Sequence, residues 1–223
     1  MTHVDQELKN LKSEVLEMWS LVMNQMIKAK EALTNFDKEL AVEVEINEKR
    51  VNGYEIKIDR DCENLLALYN PVAIDLRFIL AVLKINYNLE RIGDYARGIA
   101  KIVKKSETPF SPELLQKVNI IEMFELTNSL FADSMLAFED EDNRLARTIF
   151  MKDENIDKIN KVANTNVGEY IAANIHDMSD ALNVISIVRK LERVGDQTKN
   201  IAEEIIFYIE AKVLKHLPKV DKA

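Results

Sequence analysis

The sequence places carboxylates four residues apart, in two stretches that resemble each other. Glu90 and Asp94 lie in Leu89-Glu90-Arg91-Ile92-Gly93-Asp94, and Glu192 and Asp196 lie in Leu191-Glu192-Arg193-Val194-Gly195-Asp196, at a constant offset of 102. On a helix, residues four apart share a face with Cβ atoms ~5–6 Å apart, and a like-charged pair there costs ~0.2–0.5 kcal/mol. A hard cation reverses that sign, because carboxylate oxygens are its preferred ligands. Upstream, Asp153 with Asp157 supplies another such pair. Glu48 with Asn52, a mixed carboxylate and amide, matches it at an offset of 105. If the two segments of each half adjoin, Glu48, Asn52, Glu90 and Asp94 form one set of oxygen-bearing side chains, and Asp153, Asp157, Glu192 and Asp196 form a second.

Acidic pairs at this spacing also occur at Glu39/Glu43, Glu55/Asp59 and Asp59/Glu63, as expected of solvated faces in a chain with 38 acidic residues. What separates the repeated pairs is their shared context of an arginine and a glycine. Gly93 and Gly195 fall inside helical segments, where glycine costs ~1 kcal/mol against alanine, so a neighbouring helix is expected to pass close to each. Arg91 and Arg193 are expected in ordinary salt bridges with the adjoining acids, with capture of a partner's anion as the alternative. Catalytic constellations are scarce. His3, His176 and His216 are far apart, none follows a glutamate by three residues, and no zinc-protease motif or nucleophile elbow occurs. Cys62 reads as a packing residue. The chain is therefore read as a non-enzyme; a metal-dependent enzyme or a metal-storage bundle is the alternative.

Long helices must position these pairs. Apolar residues recur at spacings of three and four along most of the chain, with no sustained alternation. Only 5 glycines and 4 prolines punctuate 223 residues. The first helix is predicted over residues 4–34, and the second, after the break at Thr34, Asn35 and Asp37, up to Tyr69. Asn70-Pro71 ends that helix, because the residue before proline avoids the α region. The third runs from near Asp75 to Lys105. Residues 106–112 (SETPFSP) mark the boundary between a first half, 1–106, and a second, 107–223. There the fourth helix spans 112–138, the acidic turn 139–142 leads to a fifth ending near Ala173, and Asp177 with Asp180 caps a sixth reaching Lys215. At 1.5 Å per residue a helix of ~32 residues is ~48 Å long. The reading is all-α, two tandem three-helix bundles of six long helices, with a small insertion near Pro71 in the first half.

Composition narrows the setting. Thirty Lys plus Arg against 38 Asp plus Glu give a net charge of −8, which argues against nucleic acid or anionic lipid as a partner. One cysteine allows no intramolecular disulfide. The longest apolar run, 78–83, is far short of the ~20 residues that span a bilayer. The first residues have no signal-peptide pattern, and a cytoplasmic location is expected.

Asn70-Pro71-Val72-Ala73-Ile74-Asp75-Leu76-Arg77, the two Leu-Glu-Arg-hydrophobic-Gly-Asp stretches, and the segment 48–62 with Val51-Asn52, Ile58-Asp59 and Cys62 together resemble the PhoU family of phosphate-specific transport accessory proteins, over about residues 5–213. The resemblance implies two three-helix bundles related by a pseudo-twofold. It implies a cytoplasmic negative regulator of phosphate uptake and of the phosphate-starvation response, which connects a phosphate ABC transporter to a sensor histidine kinase. Membrane association would then be indirect, and a homodimer is expected. It further implies divalent or trivalent metal, iron or zinc, on acidic bundle faces through an acid-x-x-x-Asp motif. That motif maps onto Glu90/Asp94, Asp153/Asp157 and Glu192/Asp196. Glu48/Asn52 departs from it by an amide in the last place, so the second-half set is expected to bind metal more tightly.

Overall fold

The computed structural model describes the backbone of residues 3–214 and side chains from Val4 onward. Its elements are α1 (His3–Asn35), α2 (Lys38–Tyr69), α3 (Ile74–Lys105), α4 (Pro112–Lys117), α5 (Ile120–Glu139), α6 (Asn143–Ala173), a single 3-10 turn (Ile175–Asp177) and α7 (Met178–Glu210). No helix among the described residues is long and apolar enough to cross a membrane.

Local chemistry sets most boundaries. Phe36 takes a left-handed φ of 52°, and Asp37 restarts the chain by accepting the Leu40 amide N–H at 2.9 Å. Short carboxylates at this position satisfy amide groups that the first helical turn leaves without partners. Asn70, left-handed at φ 47°, closes α2 ahead of Pro71. In the acidic turn, Asp142 caps α6 by accepting the amide N–H groups of Arg144 and Leu145 at 2.8 and 3.0 Å. Three expectations need correction. The predicted helix over 112–138 is broken into α4 and α5, because Asn119 adopts the left-handed conformation at φ 54°, which asparagine tolerates better than most residues. Asp177 does not cap α7 with its side chain; it accepts the Tyr170 hydroxyl instead, at 2.6 Å. The last helix ends at Glu210, where Ala211 turns left-handed, and Lys215 and His216 lie outside the described residues.

Four long helices form one layer in the order α2, α3, α7, α6, and α1 and α5 lie behind it, packed against each other. Buried positions of the two halves coincide. Ala41, Val44, Val51 and Cys62 of α2 correspond to Ala146, Ile149, Ile156 and Val167 of α6 at an offset of 105, and Val82, Leu89, Ile92 and Ile99 of α3 to Val184, Leu191, Val194 and Ile201 of α7 at 102. The three extra residues of the first half do not lengthen the α2–α3 connection, which at 70–73 is four residues like its counterpart at 174–177; they extend the flanking helix ends, one on α2 and two on α3, because the helices continue up to and away from the turn at Pro71.

The halves meet along an antiparallel seam between α3 and α7. Lys84 pairs with Glu204 at 2.9 Å, the Asn200 amide approaches Asn88 at 3.5 Å, and Gly98 lies under the Lys190 side chain. The residue numbers in each pair total 288. Residues 102 apart with that total are Gly93 and Gly195, so the pseudo-twofold crosses the seam at the two repeated glycines. Behind the seam, Trp19 of α1 lies 5.7 and 5.6 Å from Phe131 and Phe138 of α5, and Phe138 continues to Phe78 and Tyr208 of the front layer. This aromatic group ties both halves into one continuous core.

Trp19 is fully buried and its indole N–H has no acceptor among the described residues. Trp19→Ala should cost ~3–5 kcal/mol through the cavity it leaves. Trp19→Phe should cost clearly less, because it removes the orphaned donor along with part of the ring. Chemical denaturation followed by circular dichroism checks both.

Candidate functional site

The eight oxygen-bearing residues singled out by the repeat gather in two places, at the α2–α3 and α6–α7 junctions of the front layer. Both junctions contain a base that the sequence reading overlooked. In the first half, the Arg97 Nη1 donates to Glu48 Oε1 at 2.6 Å, and its other terminal nitrogen lies 3.5 Å from Asp94. Asn52 does not offer oxygen to this site. Its amide nitrogen donates to the same Glu48 oxygen at 3.0 Å, while its own oxygen is buried without a partner among the described residues. In the second half, Lys199 bridges Asp153 at 2.5 Å and Asp196 at 2.8 Å. Arg97 and Lys199 are themselves 102 apart, each three residues beyond the repeated aspartate. The signal for them was therefore in the repeat, one helical turn past the segment that drew attention.

Asp153 is 1% exposed, the most deeply buried acid of the two sets. Room for it comes from Gly195: a Cβ there would lie 2.6 Å from Asp153 Oδ1. Gly93 serves a different contact, since its Cβ would meet Gln25 Oε1 at 3.2 Å and Val51 at 3.4 Å. The close approach expected at both glycines is thus present, against a carboxylate in one half and against α1 and α2 in the other. Burial alone would lower the Lys199 pKa, but hydrogen bonds to Asp153 and Asp196 outweigh it and hold the ammonium above its ordinary value.

The first half is less well neutralised. Glu55, two turns along α2 from Glu48, stands close enough to Glu90 and Asp94 for their charges to act on one another, although its spacing to Asp59 is that of a solvated face. Asn86, fully buried, ties this end of α2 down by donating to the Glu55 carbonyl and to Asp59, both at 2.9 Å. Partial burial, then the charges of Asp94 and Glu55, push the Glu90 carboxyl up to about 7. Burial and then the Asp59 and Asp94 charges also raise Glu55. Glu192 is raised by burial and by Asp196, with Arg193 and Lys199 opposing.

Among the described residues no three or more His, Cys, Asp or Glu side chains stand together in an arrangement that would hold a metal ion. Arg97 and Lys199 hold the inner carboxylates in its place. The salt bridges expected for Arg91 and Arg193 are not formed either. Arg91 lies 5.7 Å over the Tyr95 ring, and Arg193 is exposed with no ion pair among the described residues. His176 is exposed on the 3-10 turn, away from both junctions. Cys62 is buried in α2, its thiol pushed up to about 12 by burial, as befits a packing residue.

A PhoU domain family model matches this chain twice, over residues 15–103 and 120–205, once in each half. A phosphate-specific transport system accessory protein PhoU homolog of Aquifex aeolicus is 33% identical over 94% of this chain and 94% of its own length. The crystal structure of PhoU from Pseudomonas aeruginosa superposes with a TM-score of 0.89 at 32% identity, covering 93% of this chain and 99% of that one. That of the phosphate transport system regulatory protein PhoU from Streptococcus pneumoniae gives 0.81 at 30% identity, covering 95% and 99%.

Two measurements follow from the ion-pair geometry. Lys199→Met strands Asp153 as a buried charge and should cost ~3–5 kcal/mol in chemical denaturation, most of it recovered by adding Asp153→Asn. Glu90 binds its proton more tightly in the folded chain than its ordinary value of 4.5. The folded state therefore holds more protons between about pH 4.5 and 7, and stability falls as pH rises through that window. Glu90→Gln should remove this component, so its melting temperature should gain on the wild type between pH 5 and 8 and then run parallel.

Proposed function

The chain belongs to the PhoU family, and on that premise we propose that it is a cytoplasmic negative regulator of phosphate uptake and of phosphate-starvation signalling. It acts by binding other proteins, a subunit of a phosphate ABC transporter and a sensor histidine kinase, and it turns over no substrate. The observation that carries this reading is the match along nearly the full length of both chains to a phosphate-specific transport system accessory protein. The geometry supports it. The front layer is built of helices of 31 to 33 residues locked by one core, a platform rather than a cleft. The charged groups at its junctions face one another or solvent rather than a desolvated chamber in which a general acid and base could work.

Iron or zinc, implied by the family resemblance, would have to displace Arg97 or Lys199 from carboxylates they already hold. The first half, where Glu55, Glu90 and Asp94 repel one another, is the easier of the two to load. This reverses the preference for the second half that the amide at Asn52 suggested. Docking is assigned to Arg91 and Arg193 beside the junctions, and a regulatory signal becomes a shift in the population of bound complexes with phosphate supply, which requires different affinities in the two states.

Phosphate uptake and starvation-gene output in the source organism, measured at high external phosphate, test the proposal. Both should stay high when the gene is deleted and fall again when it is restored. Unchanged uptake in the deletion strain overturns the reading. Restoring with a Glu90→Gln, Asp94→Asn variant should preserve repression; if repression is lost together with metal from the purified tag-free protein, the ion belongs to the signal.

A further inference from the structure

The outward surface of the front layer repeats itself about the α3–α7 seam. On α3, Leu76 and Leu80 are exposed on the helical face that continues to Arg91; on α7, Met178 and Leu182 are exposed on the face that continues to Arg193. Leu80 is 37% and Leu182 59% exposed, and the members of each pair are 102 residues apart, the offset of the repeat itself. The two halves have otherwise changed many surface residues: Ile56 is answered by Lys161 and Tyr87 by Arg189. Exposed apolar side chains kept at matching positions in both halves are two readings of one surface requirement within a single chain. Because α3 and α7 run antiparallel, the two apolar ends lie at opposite ends of the seam. Leu182 is level with residue 106 of the first half, which puts it ~39 Å from Leu80 along the axes at 1.5 Å per residue.

Arg91 and Arg193 flank the pseudo-twofold between these ends, and neither forms an ion pair with another described residue. In a chain of net charge −8, α3 carries seven Lys and Arg against three Asp and Glu, and α7 four against six. The cationic character of the face is therefore local to the two repeated arginines, and along the repeated positions it reads apolar, cationic, axis, cationic, apolar. Its complement carries acids at the centre and apolar groups at both ends. A second copy of this chain laid face to face does not supply that, because it would bring four guanidinium groups together.

We propose that the α3–α7 face docks a two-fold symmetric partner, a dimer whose two subunits each set an apolar side chain on one end of the seam and whose acidic groups meet Arg91 and Arg193 at the axis. The proposal rests on the docking function above and names the surface and symmetry of that docking. A single chain of two repeats then does what a symmetric dimer would do for a dimeric partner. Each end contributes separately, and the far spacing of the ends makes their contributions add in free energy.

The probe is the purified ATPase subunit of the source organism's phosphate ABC transporter, presented as its nucleotide-bound dimer and as its nucleotide-free monomer. Binding is read by surface plasmon resonance and stoichiometry by sedimentation. Leu80→Asp and Leu182→Asp are surface changes whose folding is checked by circular dichroism. Each should weaken binding to the dimer about tenfold and the double variant about a hundredfold, with one chain per dimer. Arg91→Glu with Arg193→Glu should weaken it comparably. Wild-type binding that ignores these substitutions overturns the surface while leaving the docking function standing. So does sensitivity to only one end, equal affinity for the monomer, or self-association of this chain that the same substitutions abolish. If the wild-type chain binds neither form, the docking function itself fails, and the surface falls with it.

Discussion

The antiparallel seam between α3 and α7 governs where everything else in the molecule lies. It joins the two bundles, fixes the pseudo-twofold at Gly93 and Gly195, and sets both acidic junctions at equal distances on either side. The glycines do not touch across it; each lets its helix sink onto its own half. At Gly195 the space goes to the Asp153 carboxylate, which would sit 2.6 Å from an added methyl group. A side chain there would lift α7 from α6, and Lys199 would lose its grip on the buried acid. At Gly93 the space goes to Gln25, whose amide nitrogen donates to the Val44 carbonyl at 3.3 Å and so links α1 to α2. One residue type, at one repeat position, secures the layer to its backing by two different contacts.

The halves have come to balance the same charge problem differently. Lysine suits the second half: a compact ammonium can sit between the short side chains of Asp153 and Asp196 and satisfy both. The planar fork of arginine in the first half reaches Glu48 closely and Asp94 loosely, leaving Glu55 and Glu90 to repel one another. The second junction is a closed ion-pair unit, and the first keeps unbalanced negative charge at the surface. Divergence of a repeat has separated a structural role from a more labile one.

Much of this architecture was legible in the residues. Apolar spacing, Asn70-Pro71, SETPFSP and the acidic turn located the long helices closely, because helix ends are written in short polar side chains and proline. Asn119 escaped notice because a left-handed asparagine in mid-pattern looks like any polar surface residue. The carboxylates were found because their motif repeats; their partners were missed because a lone Arg97 or Lys199 is indistinguishable from a solvated base until its helix is placed against α2 or α6. Nor could periodicity show that Asn52 turns its amide nitrogen, rather than its oxygen, toward Glu48, since both atoms belong to one side chain. What a pattern conveys is which face a residue occupies; what it omits is which atom of that residue the neighbour meets.

The α2–α3 connection has a bearing on the symmetry of any assembly. Two identical halves would leave a two-fold partner two-fold after binding. Here the ends of the seam differ: Val72 stands 71% exposed beside Ala73, whose φ is 50°, while no residue of the α6–α7 connection takes a positive φ. The platform therefore has a head and a tail, and the two subunits of a symmetric partner laid along it would cease to be equivalent.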